Sequence, residues 1–191
     1  MTSETVLSIF LGIGLAASVG FRVFLPLFVL SLASYFELWE LNDSWQWIGS
    51  TLALITLGVA TLVEVIAYYI PVIDNALDTI ALPLATIAGT AVMVSTISDL
   101  SPVITWALAI IAGGGTATAI KSTTSTTRLG STLSTAGIAN PVFSTIETIV
   151  SIIMSIISIF LPILGMVLVI IILYLFFKVY KKIKPKRKNS G

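Results

Sequence analysis

The sequence predicts an all-α fold, a polytopic transmembrane bundle of about six helices, and three observations predict it. Of the 191 residues, 57% are hydrophobic and 10% charged, with a mean hydropathy of +1.06; soluble domains carry about 25% charged residues and would aggregate at this apolarity. The apolar residues fall into runs long enough to cross a hydrocarbon core of about 30 Å. Two of those runs hold a glutamate, Glu64 and Glu147, and a charge at the bilayer centre costs about 3 kcal/mol or more unless it is paired or used.

The first run extends from Val6 to about Phe36 and is interrupted only by Arg22. As one straight helix it would reach about 46 Å, so it must tilt, bend or project, and Gly12, Gly14, Gly20 and Pro26 offer local causes. The acidic, Trp-rich segment Glu37–Gln46 carries Glu37, Glu40 and Asp43 but no basic residue, which suits a loop on the non-cytoplasmic side. The second span covers Trp47 to Ile70, holds Glu64 and is stopped by Pro71. The third runs to about Ile97, with Asp74 where an N-cap belongs, Asp78 one turn later and a kink expected near Pro83.

Ser98–Pro102 reads as a tight turn, and the fourth span runs from Val103 to Ile120, ending in Lys121. The Gly113–Gly115 run lacks the lysine and serine of a phosphate loop, so it reads as a helix-packing feature. Ten of the fourteen residues in Ser122–Thr135 are Ser or Thr. With Arg128, Leu129 and Leu133 among them, a cytoplasmic helical extension is favoured over a re-entrant, pore-lining segment. From Pro141 to Phe177 the apolar block is too long for one helix, and Pro162 fits the first turn of a sixth span.

Residues 1–178 therefore read as a single transmembrane domain and 179–191 as a basic cytoplasmic tail. Six spans place both termini in the cytoplasm, the acidic loop outside, and Lys121 to Arg128 inside. The first residues, with Glu4 and no basic residue, do not read as a signal peptide. The tail residues Lys181, Lys182, Lys184, Lys186, Arg187 and Lys188 anchor this topology and suit anionic lipids, at about 1 kcal/mol per basic residue near the surface.

Weak self-similarity divides the domain into residues 6–97 and 103–178. Thr61-Leu62-Val63-Glu64-Val65-Ile66 resembles Ser144-Thr145-Ile146-Glu147-Thr148-Ile149, and Gly12–Ala17 resembles Gly113–Thr118. Three spans per half would make the second half an inverted copy of the first, an arrangement characteristic of secondary transporters. The candidate intramembrane charged site is Arg22, Glu64, Lys121 and Glu147. One arrangement pairs Arg22 with Glu64, and Lys121 or Arg128 with Glu147. Asp74 and Asp78 are read first as helix-start residues and second, with Glu64, as oxygen ligands for a cation. The charges either lock helix register or line a hydrated ion or proton pathway.

Cysteine and histidine are absent. Disulfides, thiol chemistry, the usual zinc sites, and Ser-His or Cys-His nucleophile pairs are thereby excluded. No enzyme, cofactor, metal or nucleic-acid role is expected. The bilayer is the expected partner, and homo-oligomers fit this reading.

The stretches Gly12–Leu27 (GIGLAASVGFRVFLPL) and Ala67–Thr79 (AYYIPVIDNALDT), the IIAGGG run ending at Gly115, and Asn140-Pro141 with Glu147 together resemble a family of small bacterial membrane proteins. That family, with versions common in cyanobacteria, is defined only as a domain of unknown function. The resemblance covers about Val6 to Leu175. It implies an integral protein of the plasma membrane and supplies no substrate and no catalytic residue. The expected function is a small ion or metabolite transporter or channel using intramembrane carboxylates. The alternative is a non-transporting assembly or lipid-organising protein with structural ion pairs.

Overall fold

The computed structural model describes residues 2–183, and among these every regular element is helical. In chain order they are α1 (Ser3–Phe21), α2 (Phe24–Tyr35), a 3₁₀ turn (Asp43–Gly49), α3 (Thr51–Ala67), α4 (Pro71–Thr96), α5 (Pro102–Leu108), a π-helical turn (Ala109–Gly114), α6 (Gly115–Thr135), α7 (Asn140–Phe160) and α8 (Pro162–Ile183). Prolines open α4, α5, α7 and α8 within their first two positions, where the missing N–H costs nothing and the fixed φ suits a helix. Ser/Thr side chains at Thr2 and Ser50 accept backbone N–H groups to start α1 and α3.

The chain is a membrane-embedded helical protein. Four helices are long and apolar enough to span: Ser3–Phe21, Ala76–Thr96, Pro102–Thr135 and Asn140–Phe160. The 3₁₀ turn with α3 makes a fifth if its 63° bend falls within one span, and α2 and Pro162–Lys178 are shorter apolar helices. Helix α1 is the centre of the bundle and packs on α4, α6, α7 and α8. Its last turns are buried on every side, as expected of a helix apolar all round. Small residues allow the close approaches: Ser144, Ser151, Ser155 and Ser158 of α7 are fully buried, and Ser151 donates to the Ser18 carbonyl at 3.1 Å. Where α4 crosses the π-helical turn, a Cβ on Gly89 would lie 2.9 Å from the Gly113 carbonyl oxygen. In lipid, this kind of small-residue contact drives helix association.

The first apolar run is two helices, not one tilted span. α1 ends at Arg22, whose backbone is extended (φ −139°, ψ 127°), and α2 starts at Phe24. Pro26 is the cause: in a continuous helix its ring would collide with the carbonyl of residue 22 and leave that acceptor unpaired. α2 then turns back. Its Ser31 hydroxyl donates to the Ile48 carbonyl at 2.6 Å, and the segment beyond it (Leu38–Asp43) lines a cavity of about 620 Å³ together with Glu4 and Ser8 at the start of α1. Thr96 and Asp99 line the same cavity.

Four helical runs, α1 to α4, precede the turn at Ser98–Ser101, and α5, the π-helical turn, α6, α7 and α8 follow it. The start of α1 lies at the acidic end of the bundle, whereas Phe176 of α8 packs on Phe21 at the other end (ring centroids 6.5 Å apart). The helices agree with the polytopic bundle expected, and Val6–Phe36 is divided between α1 and α2.

Ser122–Thr135 continues α6 as a helix, the extension favoured from the sequence. Ser122, Thr123, Thr126 and Thr127 each donate to the carbonyl four residues back at 2.7–2.9 Å, so a hydroxyl-rich helix satisfies its own side chains. α8 likewise continues past residue 178 to Ile183. Of the expected lipid-contacting residues, Lys181 is exposed; Lys184, Lys186, Arg187 and Lys188 lie outside the described residues, as does the side chain of Lys182.

Candidate functional site: a buried charge cluster around Tyr68

Arg22 stands at the α1–α2 break because Pro26 prevents the helix from running on, and it is fully buried. Its guanidinium donates from Nε to the Thr148 hydroxyl at 2.9 Å and from Nη2 to the Ser144 carbonyl at 2.7 Å, both on α7. Nη1 has no hydrogen-bond acceptor and lies 4.0 Å from the Glu147 carboxylate.

The same break exposes the first N–H groups of α2. Glu64, on the last turn of α3, accepts both: Val23 N–H at 2.7 Å and Phe24 N–H at 3.0 Å. A carboxylate at this position meets the free donors and the positive end of the helix dipole together. Among the described residues no cation lies within 4.0 Å of Glu64.

The remaining charges are matched in pairs. Arg128 on α6 grips Glu147 of α7 with two parallel N–H groups, Nε to Oε1 at 3.0 Å and Nη2 to Oε2, and gives Nη1 to Asp74 of α4. This fork geometry is the strongest of the common ion-pair arrangements. Asn140 at the start of α7 donates to the other Asp74 oxygen at 2.9 Å. Lys121 of α6 donates to Asp78 at 3.0 Å and to the Tyr68 hydroxyl at 3.1 Å. Tyr68 closes the cluster: its ring centroid is 4.2 Å from the Arg22 guanidinium, 4.5 Å from that of Arg128 and 5.1 Å from the Lys121 ammonium. Cations placed near a ring face are held by its quadrupole.

Two apolar clefts border the cluster. One, of about 390 Å³, opens between α3 and α4 and is lined by Phe24, Val63, Glu64, Tyr68, Ile80 and Leu84 among others. The other, of about 370 Å³, lies between α6, α7 and α8 and has Glu147 in its wall beside Phe143, Ile172 and Phe176.

The six residues singled out in the sequence (Arg22, Glu64, Lys121, Glu147, Asp74 and Asp78) thus meet in one cluster, but with different partners. Arg22 does not pair directly with Glu64, because the α2 amides occupy that carboxylate and the α7 hydroxyls occupy the guanidinium. Of the two cations expected for Glu147, Arg128 is the one that takes it. Asp74 and Asp78 do not cap α4, whose N-cap is Ile70; they serve Arg128 and Lys121. Among the described residues no three acidic groups converge in a way that would hold a metal. Sequence reasoning missed Tyr68, Ser144 and Asn140. The buried serines 144, 151, 155 and 158 fall at helical spacing and gave the available signal for a face turned toward a neighbour.

A family profile described as a domain of unknown function, DUF4126, matches residues 9–182. No curated protein and no solved structure matches the chain.

Proposed function

The chain belongs to the DUF4126 family, and we propose that it is a small membrane transport protein whose charge cluster takes up a proton or another monovalent cation. One observation carries the reading. Arg22, Lys121 and Arg128 face Glu147, Asp78 and Asp74, which leaves Glu64 as a fourth carboxylate held only by backbone amides. A buried cluster with one more carboxylate than cations is costly, and taking a proton or a cation relieves that cost. It is also the signature of intramembrane residues that carry ions.

We place the charged end at the cytoplasmic face of a bacterial plasma membrane. Arg22, Lys121, Arg128 and Lys178 all belong to that end, while Glu4, Glu37, Glu40, Asp43 and Asp99 belong to the other, as the positive-inside rule requires. The start of α1 then faces outward. No catalytic step is assigned to any residue.

The alternative, a non-transporting assembly or lipid-organising protein, draws on the Arg128 fork, which joins α4, α6 and α7 as a structural lock would. Proteoliposomes loaded with a pH-sensitive dye separate the two. Transport predicts a proton or cation flux above that of empty liposomes, lost in Glu64→Gln while the variant stays folded. Flux that is absent in the native chain, or equal in Glu64→Gln, favours the lock.

A further inference from the structure

We infer that the cleft between α6, α7 and α8 seats an acyl chain of an anionic phospholipid, whose phosphate is held by Lys178 and Lys181 beyond the cleft's mouth; the site stands apart from the transport reading above. The cleft is the hydrocarbon half of the site. Phe143, Ile146 and Val150 of α7 line it with Ile172, Leu175 and Phe176 of α8, and the edge contact of Phe176 on Phe21 closes its floor. Ile146 and Leu175 are about half exposed, so the cleft opens sideways to the surrounding lipid. α8 touches α6 only lightly, which leaves a gap for a chain to fill. Glu147 reaches the wall, but its carboxylate is taken up by the Arg128 fork.

Charge chooses the lipid. An acyl chain gains no hydrophobic energy by leaving its neighbours for an apolar cleft, because lipid tails are as apolar as the cleft's walls. Selection therefore falls to the headgroup. α8 continues past Phe176 to Ile183, which carries Lys178 and Lys181 about 3 Å and about 8 Å further along its axis. Both lysines are exposed, and their long stems let the ammonium groups reach headgroup level. Among the described residues the carboxylates of this end are Glu64, Asp74, Asp78 and Glu147, and each is bonded inside the cluster. The exposed charge beside the cleft is therefore positive, and the sequence beyond Ile183 adds Lys184, Lys186, Arg187 and Lys188. A headgroup with a net negative charge is attracted to such a surface, and a zwitterionic one gains little. The exposed carboxylates Glu37, Glu40 and Asp43 belong to the other end of the bundle, so the preference is confined to one leaflet.

The test is lipid binding to the purified, delipidated full chain in a neutral maltoside detergent, by native mass spectrometry and by thermal melts. Three probes separate the parts of the site. Dioleoyl phosphatidylglycerol has both chains and charge, dioleoyl phosphatidylcholine has the same chains and no net charge, and glycerol phosphate has the charge alone. The first should bind saturably, at about one lipid per chain, and raise the melt. The second should bind about ten-fold more weakly, and the third should not compete. Lys178→Gln combined with Lys181→Gln should bring phosphatidylglycerol down to the phosphatidylcholine level. Val150→Trp, which fills the cleft from α7, should remove the saturable site, and Ile172→Trp does the same from α8 where the first variant fails to fold. Ala60→Trp in the other cleft should leave binding unchanged. The site is overturned by equal retention of the two lipids, by native binding in the lysine variant, or by saturable binding that survives in a folded, cleft-filled chain. Glycerol phosphate that displaces the lipid would also overturn it, since the cleft would then have no part in the site.

Discussion

Glu64 and Glu147 sit in similar local sequences, in the wall of similar apolar clefts, at the same end of the bundle, and they are held in opposite ways. Glu147 is clamped by a guanidinium fork from Arg128 with Arg22 behind it. Glu64 is held by two main-chain amides at the start of α2 and, among the described residues, by no cation within 4.0 Å. A fork removes the incentive to change protonation or partner. Two amides leave Glu64 without a direct side-chain partner in a cluster that holds one more carboxylate than cations. The same residue type is therefore a rivet in one place and a helix cap in the other, and the difference lies in what the neighbouring helix start provides.

The largest effect should come from Glu147→Ala. It leaves Arg128 and Arg22 buried with too few acceptors, and removing one partner of a buried pair costs about 3–5 kcal/mol. The drop should register as a large fall in the thermal melt or in reversible unfolding in detergent micelles. A fall below about 1 kcal/mol, typical of exposed pairs, would show that the fork is not the rivet described here.

Glu64→Ala should cost less, about 1–3 kcal/mol, the penalty for two unsatisfied buried N–H groups. The sharper measurement is a pair of double-mutant cycles. Arg128 with Glu147 should couple strongly, and Arg22 with Glu64 only weakly, since no direct bond joins them. Equal coupling in the two cycles would erase the distinction between the glutamates.

Tyr68→Phe keeps the ring beside all three cations and removes only the acceptor for Lys121. A loss of about 1 kcal/mol is expected, read from the same melts. A much larger loss would mean that the hydroxyl, and not the ring, organises the cluster. Thr126→Ala on α6 should lie within about 0.5 kcal/mol of the native chain, because its hydroxyl serves only the Ser122 carbonyl.

The all-helical membrane bundle could be read from the apolar runs, and two helix starts from Asn140-Pro141 and Pro162, while Pro71 and Pro102, expected as a stop and a turn residue, open α4 and α5. The charged residues could be chosen because lipid makes each of them expensive. Their partners could not. Val23 and Glu64 are 41 residues apart, and Arg22 and Ser144 are 122 apart, while hydropathy reports only that a residue is apolar and not which neighbour it faces. A bend in the first run was open to reading from its length and Pro26, but its place at Arg22 and its size were not, since α1 and α2 are equally apolar and the effect of Pro26 falls four residues upstream. The repeat expectation rested on glycine and glutamate matches, and such matches recur readily among apolar residues.

The α2 cap also sets an order of events during synthesis. When α1 and α2 have left the ribosome, the amides of Val23 and Phe24 have no carboxylate to meet, and Arg22 has none of its α7 acceptors. Glu64 follows the end of α2 by 29 residues (35 to 64), and Ser144 comes 80 residues later still (64 to 144). The opening helical pair must wait near water or a chaperoning surface until α3 arrives. Nascent chains stalled before Glu64 should be extracted by alkaline wash or degraded more readily than chains stalled just after α3, which makes the carboxylate a checkpoint of assembly as well as a seat for charge.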